Sequence, residues 1–252
     1  MGGYSLWDGM IEDMTEPQNS QPNPHPKEMH KSQRGNWLRA AVLGVNDGIV
    51  STSSIMLGLT AANADYKIIL TTGIASLVAG AFSMAAGEYV SVSSQKDSQR
   101  ADIEIEKRAL INNPKGELDE LIAIYEARGL GAKLAREVAV ELHKNDAVEA
   151  HARDELGINT HMKISPVQAA TASAIAFAIG SLVPILAAVV ADKQHSALVI
   201  VIVSLAALAV SGVIGAFVGG GNRLVASLRV FVGGGVAMAV TYAIGHLVGV
   251  NL

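Results

Sequence analysis

Two carboxylates interrupt stretches that are otherwise apolar enough to lie in a bilayer. Asp47 stands in "VLGVNDGIVSTSSIM" and Glu88 in "GAFSMAAGEYVSVSSQ". An ionised carboxylate near the middle of a membrane costs at least about 2.5 kcal/mol, so it persists only where protein, water or a cation surrounds it. On a helix, Ser51 and Ser54 fall on the face of Asp47 at i+4 and i+7, with Asn46 adjacent. Met84 and Glu88 are four apart, one above the other, and Gly80 lies one turn earlier. A carboxylate beside a thioether suits softer late first-row ions such as Fe²⁺ better than Mg²⁺ or Ca²⁺, which take oxygen almost exclusively. A carboxylate so placed can also trade a proton for a cation, which makes H⁺ a physically cheap counter-ion. The bland alternative is that Met84 is packing filler and Asp47 a helix-to-helix hydrogen bond.

A second set of candidate ligands lies between residues 93 and 164, which hold fourteen acids together with His143, His151 and His161. Asp102 and Glu106 are i, i+4 and Glu117 and Glu120 are i, i+3, so on helices each pair could clamp a divalent cation, with Glu155 and His151 as further donors. Eleven Lys and Arg residues interleave with these acids, and most such acids simply solvate a helix. There is no cysteine, which removes disulfides, thiolate metal sites and redox motifs. Neither His-Glu-x-x-His nor Glu-x-x-His occurs, so the zinc-protease and four-helix di-iron signatures are missing. No nucleophile, base and orienter are grouped, and no basic patch suits nucleic acid, so an enzyme and a nucleic-acid binder are both disfavoured.

The elements that must position these groups are membrane helices. Half of the 252 residues are hydrophobic and 17% are charged, and five stretches approach or exceed the roughly 20 apolar residues that a span requires. They are Ala40 to Ala64, Ile68 to Gln95, Ser165 to Ala191, Ser196 to Gly221 and Val230 to Leu252. The chain divides into a disordered cytoplasmic tail at 1–36, two spans within 37–95, a polar helical segment at 96–163 and three spans within 164–252. Seventeen of the nineteen Lys and Arg residues fall on one side of this arrangement, with Lys67 and Lys193 on the other. With the long polar segment set aside the bias is still six to two, so the N-terminus is expected in the cytoplasm and the C-terminus outside. The tail has no apolar h-region, and the surrounding membrane is expected to be the cell's inner, or plasma, membrane.

Within the polar segment three amphipathic helices are expected. The first continues the second span to Asn112, ahead of Asn113 and Pro114. The second, "PKGELDELIAIYEARG", carries the stripe Leu118, Leu121, Ile122 and Tyr125. The third, "GAKLAREVAVELHKNDAVEAHARDELG", places Leu134, Val138, Leu142 and Ala147 on one face. Frequent Gly and Ala in the spans read as close helix packing. The predicted class is an all-α membrane protein, five transmembrane helices with a cytoplasmic three-helix metal-binding subdomain between spans two and three.

Several stretches together carry a likeness: "WLRAAVLGVNDGIVSTSSIMLGLTAA", "GAFSMAAGEYVSVSSQKD", "IYEARGL", "HARDELGI" and "SPVQAATASAIAFAIGSLVPILAAVV". The chain from about Asn36 onward resembles the vacuolar iron transporter family in a short bacterial form. The resemblance implies a five-span homodimer that exports Fe²⁺, and often Mn²⁺, from the cytosol in exchange for protons, with no tightly bound cofactor. It also implies that Asp47, Met84 and Glu88 line a path at the dimer interface, with Ser51 beside them. Glu106, Glu117, Glu120 and Glu155 then fall where cytoplasmic glutamates gather metal. Ala109 stands where the family often has a second glutamate, and the family's methionines near the end of the third helix are replaced around His151 and Ala152, where Asp102 and His151 are candidate substitutes. The 36-residue tail is too short for the ferritin-like storage domain of some relatives. A membrane sensor or scaffold that binds metal without transporting it is the competing reading.

Overall fold

In the computed structural model, residues 35–159, 165–192 and 194–251 are described. The expected tail therefore lies outside the described residues up to 34, as do His161 and Lys193. The described chain is all helical, with seven helices and no strand. They are α1 (Gly35–Ala61), α2 (Tyr66–Asn112), α3 (Pro114–Ala127), α4 (Ala132–Asp154), α5 (Pro166–Val190), α6 (Ser196–Gly219) and α7 (Arg223–Asn251). Among them α1, α2, α5, α6 and α7 are long and apolar enough to cross a membrane.

Helix α1 is the hub of the five spans, packing on α2, α5, α6 and α7. Its contact with α5 is set by two glycines one turn apart. A Cβ on Gly44 would lie 2.9 Å from Ala176 Cβ, and one on Gly48 would fall on the Phe177 carbonyl oxygen. Gly180 answers from the other side, meeting the Val45 carbonyl, and Ser181 Oγ donates to the Gly48 carbonyl at 3.3 Å. Small residues at i, i+4 let two backbones approach where lipid supplies no hydrophobic drive. The same device joins α1 to α7, where Gly245 and Gly249 rest on the backbone of Gly58 and Ala62. The apolar interior between these helices is filled by Ile49, Met56, Leu57, Ile185, Ile200 and Leu208.

The second span does not stop at its apolar end. Helix α2 runs 47 residues to Asn112, and its polar half carries α3 and α4 packed against it. Asn113 ends it and starts α3, accepting from the Gly116 N–H at 3.2 Å, with Pro114 at the first helical position. The core of this module is Leu121, Ile122 and Tyr125 from α3 against Ala135, Ala139 and Ala150 from α4, flanked by Leu118, Val138 and Leu142.

Three local expectations require correction. Leu134 does not join the buried stripe of α4 but is 50% exposed, because the contact is centred on the alanines beside it, whose small side chains allow α3 to approach closely. Helix α4 is not continuous, since Asp146 adopts extended backbone (φ −158°, ψ 97°) and its carboxylate accepts from the Glu149 N–H at 2.9 Å, capping a second helical piece. The last helix starts at Arg223 and not at Val230, so that Arg223 and Arg229 lie within α7, because Asn222 caps it early by accepting from the Leu224 and Val225 N–H groups.

The two polar stretches "IYEARGL" and "HARDELGI" meet in space. Asp154 accepts from Tyr125 Oη at 2.6 Å, from Arg128 at 2.6 Å and from Arg153 at 2.7 Å, and the Arg128 guanidinium also bonds the Asp154 carbonyl. Burial alone would push the Asp154 carboxyl up, but the hydrogen bonds from Arg153, Tyr125 and Arg128 outweigh it and hold the group well below the usual carboxylate range. Asp154→Ala is expected to destabilise the module by about 1–3 kcal/mol through the stranded Tyr125 hydroxyl, with the half-exposed Arg128 adding little. Because the native value is depressed, this stabilisation is complete above the unfolded-state value near ~3.9 and is lost as pH falls below it. Thermal unfolding followed from pH 7 to pH 3 checks both statements: the gap between native and variant should stay constant down to about pH 5 and begin to narrow towards pH 3, and a gap constant throughout would refute the linkage.

Candidate metal path and gathering site

The intramembrane candidates are held on two helices. Asp47 is exposed on the surface of α1, while its neighbours on either side are engaged: Asn46 accepts from Ser211 of α6 at 2.6 Å and Gly48 is sunk into α5. Ser51 is half-buried and donates to the Asp47 carbonyl at 2.6 Å, leaving its lone pairs for another partner, and Ser54 is buried. Met84 and Glu88 are half-buried on α2. Phe177 sets its carbonyl against Gly48 and its ring against Gly80, so α1 and α2 both pack on α5 at this level.

The same contact fixes relative depth. Gly80 is close to level with Gly48, and α2 runs antiparallel to α1, so Met84 lies about 5 Å and Glu88 about 11 Å nearer the polar module than Asp47 does. The three groups are thus staggered along the membrane axis in the order Glu88, Met84, Asp47. Buried hydroxyls without a partner among the described residues, Thr52 and Ser54 on α1, Ser173 on α5 and Ser204 on α6, add polar atoms to the interior. Of these only Ser54 stood out in the sequence, because a Ser or Thr in a helix most often satisfies itself on its own backbone.

In the module the geometry is convergent. Glu106 of α2, Glu117 of α3 and His151 of α4 bring ligand atoms within 4.8 Å of one another, the one such group of three or more among the described residues. Donors on one ion with bonds of ~2.0–2.2 Å lie within about 4.4 Å of each other, so shifts of a few tenths of an ångström would close the set. His151 is fully buried, with Nδ1 3.1 Å from both Glu106 Oε1 and Glu155 Oε2. Glu155 is aligned with that nitrogen, whereas Glu106 Oε1 is buried without a hydrogen bond. Burial, then the negative charge of Glu155, raises the Glu106 carboxyl above its ordinary value, with His151 opposing and Glu117 and Glu120 adding to it. Three carboxylates around one imidazole, with a buried Glu106 oxygen left without a hydrogen bond, is an arrangement that a divalent cation would relieve.

Each predicted ligand now has a location. Glu106, Glu117, His151 and Glu155 come together; Glu120 is exposed on α3, close enough for its charge to reach Glu106; Asp102 is exposed one turn before Glu106 and is not in the group. Burial distinguishes the i, i+4 pair on α2: Glu106 is buried and Asp102 is not. His143 went without a role in the sequence, yet its ring meets that of His151 edge to face, with centroids 6.0 Å apart.

Residues 38–246 match the model of the VIT family. The chain is 44% identical over 223 residues to a protein of Acanthamoeba castellanii named vacuolar iron transporter, covering 87% of this chain and 82% of that one. It is 40% identical over 220 residues to vacuolar iron transporter homolog 3 of Arabidopsis thaliana, covering 86% of each. A rice relative, vacuolar iron transporter homolog 2 of Oryza sativa subsp. japonica, is 38% identical over 215 residues, with 85% and 92% covered.

Proposed function

The chain belongs to the VIT family, and from that premise we propose that it is an iron transporter that moves Fe²⁺, and also Mn²⁺, out of the cytosol in exchange for protons. The observation that carries this reading is Asp47, an acid exposed on the flank of a membrane span. Facing lipid it would cost at least about 2.5 kcal/mol, so a polar surface must cover it. A second copy of the chain is the natural cover, since α2 leaves most of its apolar window bare in one protomer and carries Met84 and Glu88. The working unit in this reading is a homodimer with the path between protomers.

Glu106, Glu117, Glu120, Glu155 and His151 would collect the ion on the cytosolic side. Glu88 and then Met84 would receive it at the membrane entrance, and Asp47, with Ser51 beside it, would pass it outward while taking a proton back. The staggered depths of these groups support that order. The distribution of Lys and Arg supports a cytosolic module, a cytosolic N-terminus and an external C-terminus, and the reading keeps the inner, or plasma, membrane as the site of action. Cargo metal and protons are then the partners, with the lipid membrane and a second copy, and the domain division is a tail at 1–36, spans at 37–95 and 164–252, and the gathering module at 96–163.

Proteoliposomes test this. Fe²⁺ added to the bath should enter and quench a trapped dye under an imposed pH gradient, and uptake should fall when the gradient is collapsed. Metal binding with no flux under either condition would instead favour the sensor or scaffold.

A further inference from the structure

The face of α1 that carries Asp47 changes character along its length. Ser51, Ser54, Gly58 and Ala62 follow Asp47 at i+4, i+7, i+11 and i+15, so the five residues form one row. Asp47 is exposed, Ser51 is half-buried and Ser54 is buried, with 7% of its surface exposed. The cover is α7, which crosses the row obliquely: Gly234 lies beside Val50, Thr241 and Gly245 lie on Gly58, and Gly249 lies on Ala62. An ion that leaves Asp47 along this row, away from the polar module, therefore meets α7. Beneath that cover Ser54 Oγ is buried without a hydrogen-bond partner, although a buried hydroxyl ordinarily finds one.

The two ends of α7 are held differently. Near its start Ser227 Oγ donates to the Ala209 carbonyl of α6 at 3.0 Å, and a Cβ on Gly212 would lie 2.7 Å from Ser227 Cα. Near its far end α7 meets α1 through glycine. A Cβ on Gly245 would fall on the Gly58 carbonyl oxygen, and one on Gly249 would lie 2.6 Å from Ala62 Cα. Thr241 Oγ1 donates to the Ala237 carbonyl of its own helix at 2.9 Å and turns its methyl to Gly58. By contrast, Ser181 of α5 bonds to Gly48 and Ser211 of α6 bonds to Asn46. Smooth glycine contacts can part without unlocking side chains, and a pinned opposite end makes the movement a swing rather than a release.

We propose that α7 is the outer gate of the ion path: pinned to α6 at its inner end, it swings off α1 at its outer end and uncovers Ser54 Oγ as the oxygen ligand that follows Asp47 and Ser51. The inference rests on the transport reading above. An exchanger opens to its two sides in turn, and the contacts of α7 on Gly58 and Ala62 are those of the outward-closed state.

The chain has no cysteine, so introduced thiols report alone. Gly58→Cys with Thr241→Cys suits the gate. A Cβ on Gly58 lies 3.1 Å from Thr241 Cγ2, an atom that the second substitution removes, which leaves the two Cβ atoms near the ~3.8 Å that a disulfide spans. In proteoliposomes, oxidation of this pair should stop Fe²⁺ flux and reduction should restore it, with Co²⁺ affinity of the polar module unchanged throughout. In a separate variant on intact cells, Ser54→Cys should react with a membrane-impermeant thiol reagent during Fe²⁺ export and stay unreactive without metal. Native-rate flux with the disulfide complete would overturn the gate and leave transport standing. A Ser54→Cys that is unreactive under both conditions would overturn it as well, and this labelling decides the matter if the reduced pair itself fails to transport. Absence of flux in the native chain would remove the transport reading and the gate with it.

Discussion

Asp47→Asn is expected to bring proton-driven Fe²⁺ flux down to the background of empty liposomes while leaving the protein folded. Asn has the same shape, and Asp47 makes its packing contribution through its neighbours, with Asn46 held by Ser211 and Gly48 seated on Phe177 and Ser181. What disappears is the charge and the exchangeable proton. A cation at that depth without its carboxylate carries an uncompensated charge costing at least about 2.5 kcal/mol, which corresponds to roughly a 70-fold loss of occupancy. The proposed gathering site lies well away on the polar half of α2, so Co²⁺ affinity of the module should be unchanged in the same variant. Flux at the native rate in Asp47→Asn would remove Asp47 from the path and, with it, the main argument for transport.

Gly48→Ala is expected to have the largest effect on folding. The added Cβ would overlap the carbonyl oxygen of Phe177 and approach Ser181 N to 2.9 Å, and both are backbone atoms of α5 that no rotamer change can move aside. Overpacking of this kind typically costs 1–3 kcal/mol and occasionally more; with backbone on both sides we expect about 3 kcal/mol or above. Since α1 also touches α2, α6 and α7, separation at this crossing would loosen the whole bundle. Gly233 of α7 is the internal control, because a Cβ there meets nothing within 4 Å. Gly233→Ala should be neutral or gain up to about 1 kcal/mol from helix propensity. Thermal unfolding in detergent separates the two, and equal stability of both variants would show that the α1–α5 crossing is not close packed.

Much of the architecture was legible because it follows from local rules. Span number and length come from runs of apolar residues, the ends of α2 and α3 from Asn113 and Pro114, and the end of α3 from Gly129, whose φ of +99° a side chain would strain. The buried stripe of α3 came from period alone, whereas Leu134 of α4 was misassigned because a period fixes the spacing of a face and not which face meets a neighbour. The break at Asp146 was hidden for a similar reason: Asp is tolerated mid-helix, and only the packing of α4 on α2 and α3 makes it a cap. Asp102 and Glu106 were equivalent by spacing and became different once burial chose Glu106.

The sequence by itself therefore determined the class of protein, its five spans and the residue types that could hold a soft divalent ion, since hydropathy, caps and ligand chemistry are properties of short segments. Tertiary structure alone decided which candidate ligands meet. Glu106, Glu117 and His151 come from three helices, and their convergence within 4.8 Å depends on how α3 and the broken α4 pack against α2. It likewise decided the relative depth of Asp47, Met84 and Glu88, because the depth of each helix is set by glycine contacts between segments distant in the chain.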